Sequence, residues 1–211
     1  MMSTSPIAIE VVLTPAPLTT PNPSRTSHYV GDALYARVVA QFTDWQRDEA
    51  LVTDLPIRDH ARQLLAREAR LLDGHDYERW LAMFAPECIT WVPGTPERGD
   101  PRREIAVMFD DRRRMEDRIY RLRTGYAWSQ APRSRTVRMI SNVEVFATEA
   151  PTARMVRSNF LISEFWGDET RILTGWAGHR IVHEGGRWLI EAKQVNLIDC
   201  DQSIRNLSVI L

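Results

Sequence analysis

The chain has 211 residues, 27 basic and 28 acidic side chains, a net charge of -1 and 44% hydrophobic residues. That make-up fits one globular domain with an appendage and argues against a protein that coats polyanions. No run of about 18 apolar residues occurs, so no membrane-spanning helix is expected. The first basic residue is Arg25 and the apolar run 7–13 is broken by Glu10, so no signal peptide is expected either. The two cysteines, Cys88 and Cys200, are too few for a disulfide framework and fit a cytoplasmic protein. Of the 27 basic residues only Lys193 is lysine. Coding bias toward arginine accounts for this unless placement says otherwise.

Residues 1–30 hold five of the twelve prolines and almost no charge, which reads as an extended arm without its own core. Over 32–50 the spacing of Leu34, Val38, Phe42 and Trp45 predicts a helix, so 31–56 is set apart as a helical extension. Asp54 before Pro56 marks a second start. The stripe Ala61, Leu65, Ala69 and Leu72 follows, and Gly74 stops it. A third helix is expected from Asp76 with Tyr77, Trp80, Leu81 and Phe84 on one face, ending at Pro86.

Beyond Pro86 the period becomes alternating. Cys88 to Val92 reads as a strand, and Ile105, Val107 and Phe109 as another. Asp110 or Asp111 then caps a helix bearing Met115, Ile119 and Leu122, with Arg118, Arg121 and Arg123 toward its negative end and Gly125 as a stop. From Ser134 onward the pattern is one of long strands: one through Val137, Met139, Val143 and Val145, then 153–166, 171–184 and 188–199. The breaks fall at Ala150-Pro151, Gly167-Asp168 and Gly185-Gly186. Helices followed by a meander of long strands give an α+β fold, with a curved antiparallel sheet wrapped around the N-terminal helices.

The chemistry-bearing residues form no motif. His179 and His183 on a strand stand about 13 Å apart at ~3.3 Å per residue, too far for one ion. Two cysteines without Cys-x-His or Cys-x-x-Cys spacing do not make a Rieske site, and neither a phosphate loop nor a nucleophile elbow is present. The Arg112-Arg113-Arg114 run is surrounded by acids, which disfavours a nucleic-acid face. A cone closed by helices can also house an acid or base. For a stand-alone dehydratase, isomerase or small-ligand binding module, the polar residues to place there are His75, Asp111 and His179.

A resemblance adds to this. The run 121–128 (RLRTGYAW), then 132–136 (PRSRT) and Ser141-Asn142-Val143, resembles the signature stretch of the small (beta) subunits of aromatic-ring-hydroxylating dioxygenases. Upstream, 68–73 (EARLLD) with Trp80-Leu81 is similar to that family's opening helices. Downstream, 157–160 (RSNF) and the ending 206–211 (NLSVIL) are similar to its later pattern, so the likeness covers about 57–211. The resemblance implies a cone-shaped fold shared with nuclear transport factor 2 and scytalone dehydratase. It also implies a structural, non-catalytic subunit with no cofactor of its own. The partner is a large subunit that carries a Rieske [2Fe-2S] cluster and a mononuclear iron, typically three of each, with the small subunits associating as a trimer. The complex is an NAD(P)H-dependent aromatic dioxygenase, and no catalytic residue is carried over to this chain. The first 50-odd residues depart from the pattern.

Within the signature, Arg123, Gly125, Trp128, Arg133, Ser134, Arg135, Asn142 and Asn206 are the expected structural or interface residues. Gly125 turns the chain and Trp128 pins it. Arg133 and Arg135 share one strand face while Arg138 faces the other, and Arg133 or Arg135 is expected to be a buried brace or an interface contact. Eleven of the 26 arginines lie between Arg102 and Arg138, more than twice an even share, a clustering that assembly contacts would explain. The terminal apolar segment 206–211 is expected to dock.

Overall fold

A computed structural model describes residues 31–96, 100–101, 104–124, 127, 130–204 and 209–211. The Pro-rich arm, Gly125, Trp128 and Asn206 lie outside the described residues. Among the described residues four α-helices, α1 (Asp32–Gln41), α2 (Leu55–Asp73), α3 (Tyr77–Leu81) and α4 (Arg112–Arg123), accompany six strands. These are β1 (Phe84–Pro93), β2 (Ala106–Asp111), β3 (Arg135–Ala147), β4 (Ala153–Trp166), β5 (Glu169–Glu184) and β6 (Arg187–Leu197).

The start of α2 is written in its sequence: Asp54 accepts from the Ile57 amide at 3.0 Å and Pro56 sits in the first turn. Asp111 caps α4 in the same way, accepting from the Arg114 amide at 2.9 Å. The extension is less helical than its periodicity implies. It is helical only to Gln41, then turns, with a short 3-10 segment at Asp48–Ala50. The turn swings Phe42 and Trp45 off the helix line and onto the sheet. The third helix is also shorter than expected, because Phe84 to Pro86 already belong to β1.

The strands form one sheet in the order β2-β1-β6-β5-β4-β3. All neighbours are antiparallel except β1 and β6, which run parallel. The expected all-antiparallel sheet is therefore a mixed one. Hairpin turns encode local pairing, whereas β1 and β6 lie about a hundred residues apart and no turn joins them.

The inner face of the sheet packs on α2: Leu65, Leu71 and Leu72 join Trp80, Phe84, Met115, Val145, Val156, Ile181 and Ile190. The outer face is half covered by the extension. Leu34 and Val38 of α1 seat on Ile89 and Ala192, and Trp45 packs on Phe146 and Met155, with Trp176 beside it. Gly178 makes room there, since a β-carbon at that position would lie 2.9 Å from the Phe42 ring and 3.0 Å from the Trp45 ring. Layers on both sides explain why nine successive residues of β6, Leu189 to Leu197, are buried.

Candidate functional site

Two regions hold the residues that can act: a polar cluster inside the cone, and an open apolar strip on the outer face of the sheet.

Leu65, Glu68, Ala69 and Leu72 form the inner stripe of α2, so helical spacing points a carboxylate into the core. Opposite it, His179 and Lys193 are directly paired across β5 and β6. The Glu68 Oε1 accepts from Lys193 Nζ at 2.8 Å and from Trp80 Nε1 at 3.2 Å, while Oε2 lies 3.1 Å from His179 Nε2. All four side chains are buried. Burial alone would push the Glu68 carboxyl up. The Lys193 charge, then His179 and the hydrogen bonds, outweigh it and hold Glu68 well below the usual carboxylate range. Burial pushes His179 down, and Glu68 offsets this only in part, so the ring is neutral near pH 7. A carboxylate only accepts, so the ring proton belongs on Nε2 and Nδ1 carries the bare lone pair. Nδ1 has no hydrogen-bond partner among the described residues.

These groups border a small cavity, about 30 Å³, otherwise walled by Leu65, Leu72, Ile140, Phe160, Ile162, Val195 and Leu211, with Ser158 and Arg138 also on its lining. That is room for about one water. A substrate-sized pocket is therefore not open here, and the charges are paired with one another.

Arg138, on the lining of the same cavity, belongs to a second polar group. Asp73, the last residue of α2, accepts from the Thr136 hydroxyl at 2.8 Å, from the Arg138 amide at 2.9 Å and from the Arg138 guanidinium. Arg138 also donates to the carbonyl of Ile210. Residues 209–211 are thereby held on their own sheet, and all three are buried. Pieces from four distant stretches (68–73, 136–138, 179–193 and 209–211) converge on one place.

The expected residues fall elsewhere. Arg133 and Arg135 are exposed, so neither is a buried brace; that part belongs to Arg138, on the opposite face of β3. Arg135 instead lies over the Phe165 ring, 4.7 Å from its centroid. Arg123 is exposed and pairs with Glu78 of α3. Ser134 is buried, and both its amide and its hydroxyl bond Gln130. Asn142 is exposed, with φ +50 at the irregularity in β3, a conformation Asn tolerates.

Of the three polar residues proposed for the cone, His179 lines the cavity. Asp111 is a helix cap, and His75 sits after α2 in a left-handed turn, bonded to the Tyr77 hydroxyl at 2.8 Å. Burial, then the charge of Arg133, pushes His75 down. Sequence reasoning missed Glu68, Asp73, Arg138 and Lys193. Two signals could have found them: a Glu inside an apolar helical stripe, and a single lysine inside an apolar strand.

The open strip lies at the far end of the outer face, beyond the reach of the extension. Val137, Met139 and Ile172 are 63%, 56% and 59% exposed, and Phe165 is 37% exposed. Register places Arg135 opposite Phe165, and Ser163 between Val137 and Ile172. Among the described residues β3 is also an edge strand, lined at one end by Leu51 and Val52. Among the described residues no group of three or more His, Cys, Asp or Glu side chains is placed to hold a metal ion. Cys88 is in the core beside Met115, its thiol pushed up to about 12 by burial, and Cys200 belongs to a different cluster. No described helix is long and apolar enough to cross a membrane.

Comparison with known proteins gives a consistent picture. The profile of the ring hydroxylating beta subunit family matches residues 67–202, more than half of the chain. The 2-halobenzoate 1,2-dioxygenase small subunit of Burkholderia cepacia is 34% identical over 99 residues, 44% of this chain and 58% of that protein. The toluate 1,2-dioxygenase subunit beta of Pseudomonas putida is 37% identical over 89 residues, 40% of this chain and 55% of that protein. The matched part thus spans somewhat more than half the length of these relatives.

Among solved structures, the benzoate 1,2-dioxygenase beta subunit of Burkholderia mallei superposes with a TM-score of 0.61 at 24% identity, over 75% of this chain and 99% of that one. A naphthalene 1,2-dioxygenase structure gives 0.65 at 20% identity, over 83% and 93%. A scytalone dehydratase candidate from Novosphingobium aromaticivorans gives 0.54 at 17% identity, over 72% and 91%. At these identities the likenesses establish the shared cone-shaped α+β fold.

Proposed function

The chain belongs to the ring hydroxylating beta subunit family, and from that membership we propose that it is the structural small subunit of an aromatic-ring-hydroxylating dioxygenase. Its partner is a large subunit that carries the Rieske [2Fe-2S] cluster and the mononuclear iron. The assembly is cytoplasmic and contains three of each subunit, the small subunits forming a trimer. The chain divides into an arm (1–30), an extension (31–56) and the subunit domain (57–211).

The observation that carries this reading is the open strip. Val137, Met139, Phe165 and Ile172 present an apolar patch bordered by Arg135. Apolar and aromatic groups with arginine at the margin are the make-up of a protein interface. The cone interior supports the same reading, because its charges are tied to each other around a cavity of about 30 Å³, an arrangement that stabilises a scaffold and leaves no room for an aromatic substrate.

The test is co-expression with the large-subunit reading frame that neighbours this one. The two chains are expected to co-purify with iron in the complex and none in the isolated small subunit. Met139→Glu is expected to melt like wild type and to weaken association at least tenfold. Stoichiometric iron in the isolated chain, or no association, would overturn the proposal.

A further inference from the structure

At the opposite end of α2 from Asp73, the first turns of the helix leave a cleft of about 210 Å³ over the sheet. Pro56, Ile57 and His60 line it from the helix, and Val145, Arg154, Ile181 and Trp188 line it from β3, β4, β5 and β6. Neither the cone cluster nor the open strip uses these residues. The volume is about seven times the ~30 Å³ that one water occupies in the liquid, so the chain as it stands has room for a molecule of about seven non-hydrogen atoms.

The charge in the cleft is one-sided. Arg154 is half-buried, and its hydrogen bonds run from Nη1 alone, to the carbonyls of Pro151 at 2.9 Å and Ala153 at 2.6 Å. Those two bonds fix the guanidinium in place. Its Nε is buried and has no acceptor among the described residues. No acid is on the lining, and the acids beside it in the chain are engaged elsewhere. Asp54 caps α2 through the Ile57 amide, Asp59 meets Arg62 and Gln63, and Glu144 meets Arg157. A cation held in a half-buried place without a counter-charge favours an anion.

The rest of the lining decides which anion. No second arginine or lysine is on it, so a single negative charge is matched and a double one is not. A carboxylate fits the planar guanidinium better than a round anion does. Ile57, Val145 and Ile181 are apolar, and the Trp188 ring stands between His60 and His183, at 6.3 and 5.2 Å. Such walls suit a short hydrocarbon body.

We propose that the cleft between the start of α2 and the sheet binds a small monocarboxylate, its charge on Arg154 and its apolar body against Trp188, Ile57 and Ile181. The large subunit has no part in this contact, so the proposal stands or falls apart from the assembly reading.

The test is a titration of the full chain at pH 7 followed by NMR at the Trp188 indole N–H, with pentanoate, pentanol, pentylammonium and inorganic sulfate as probes. Pentanoate is expected to shift this resonance saturably, binding at least tenfold more tightly than pentanol, with no saturable shift from pentylammonium or sulfate. Arg154→Gln is expected to bring pentanoate down to the affinity of pentanol. Ile57→Trp, which fills the cleft from the helix and leaves Arg154 in place, is expected to abolish binding of both. No saturable pentanoate shift in wild type, or unchanged pentanoate binding in folded Ile57→Trp, would refute the site. Pentanol bound as tightly as pentanoate would refute the role of Arg154, whether or not Arg154→Gln folds. Sulfate bound as tightly as pentanoate would refute the carboxylate class.

Discussion

Acid should weaken this fold in two stages, and the first stage comes from one histidine. His179 is buried and held below its ordinary value of 6.5, so the folded chain keeps the ring neutral where the unfolded chain protonates it. Below pH 6.5 the unfolded state therefore binds the extra proton, and stability falls as pH falls. Each unit is worth about 1.4 kcal/mol while the buried ring stays neutral.

Glu68 acts in the same direction but later. Its carboxyl is lowered from 4.5, so its contribution is complete above that value and is lost as pH drops toward the folded value. The slope should steepen below about pH 4.5. His75 is also lowered, adding a smaller amount because it is only part-buried. Urea unfolding at a series of pH values measures this. The midpoint should fall between pH 7.5 and 5.5 at an unchanged m-value. His179→Leu should flatten the profile between pH 7.5 and 5. A flat wild-type profile, or an unchanged slope in His179→Leu, would show that the buried neutral histidine has been misread.

Two further substitutions probe how the cone is built. Arg138→Lys keeps the charge but cannot span both the Asp73 carboxylate and the Ile210 carbonyl, so it should cost about 1–3 kcal/mol, and unchanged melting would contradict the brace. Gly175→Ala places a β-carbon 2.0 Å from the backbone oxygen of Asn196, so β5 and β6 must part there. A loss of at least about 3 kcal/mol in urea unfolding is expected, and a loss under about 1 kcal/mol would contradict the close approach of the two strands.

Much of the fold was legible because its signals are local. The Asp54-Pro56 start of α2, the Asp111 cap of α4, the Gly185-Gly186 turn and the long alternating strands all stand in the chain as read. What was not legible depends on contacts between distant residues. Nothing near β1 says that it will lie parallel to β6. Phe42 and Trp45 continue a helical spacing, yet the bare backbone at Gly178 offers them a better seat than the helix would. The candidate site shows the same division. Arg133 and Arg135 drew attention by clustering with other arginines, but alternation along β3 turns Arg138 inward to Asp73, and only the position of the end of α2 makes that the brace. His179 was named for the cavity, but its partners Glu68 and Lys193 lie 111 and 14 residues away in the chain.

The single lysine acquires a physical reason at Lys193. A bias that writes arginine at 26 positions leaves lysine at the one basic position that meets Glu68 inside the cone. There the acceptors are already shared: Glu68 Oε1 takes Trp80 as well as Lys193, and Oε2 takes His179. An ammonium brings three donors on a compact head, whereas a guanidinium brings five in a fixed plane. In this place most of those five would have no acceptor, and each buried donor left unpaired costs about 1–3 kcal/mol. The larger head must also fit beside a cavity of about 30 Å³. Lys193→Arg, conservative by charge, should therefore lower stability by about 2–4 kcal/mol, read as a drop in the urea midpoint at pH 7.5. The exposed reverse change Arg62→Lys should stay within about 0.5 kcal/mol of wild type. Equal midpoints for Lys193→Arg and wild type would leave coding bias as the whole account of the lysine.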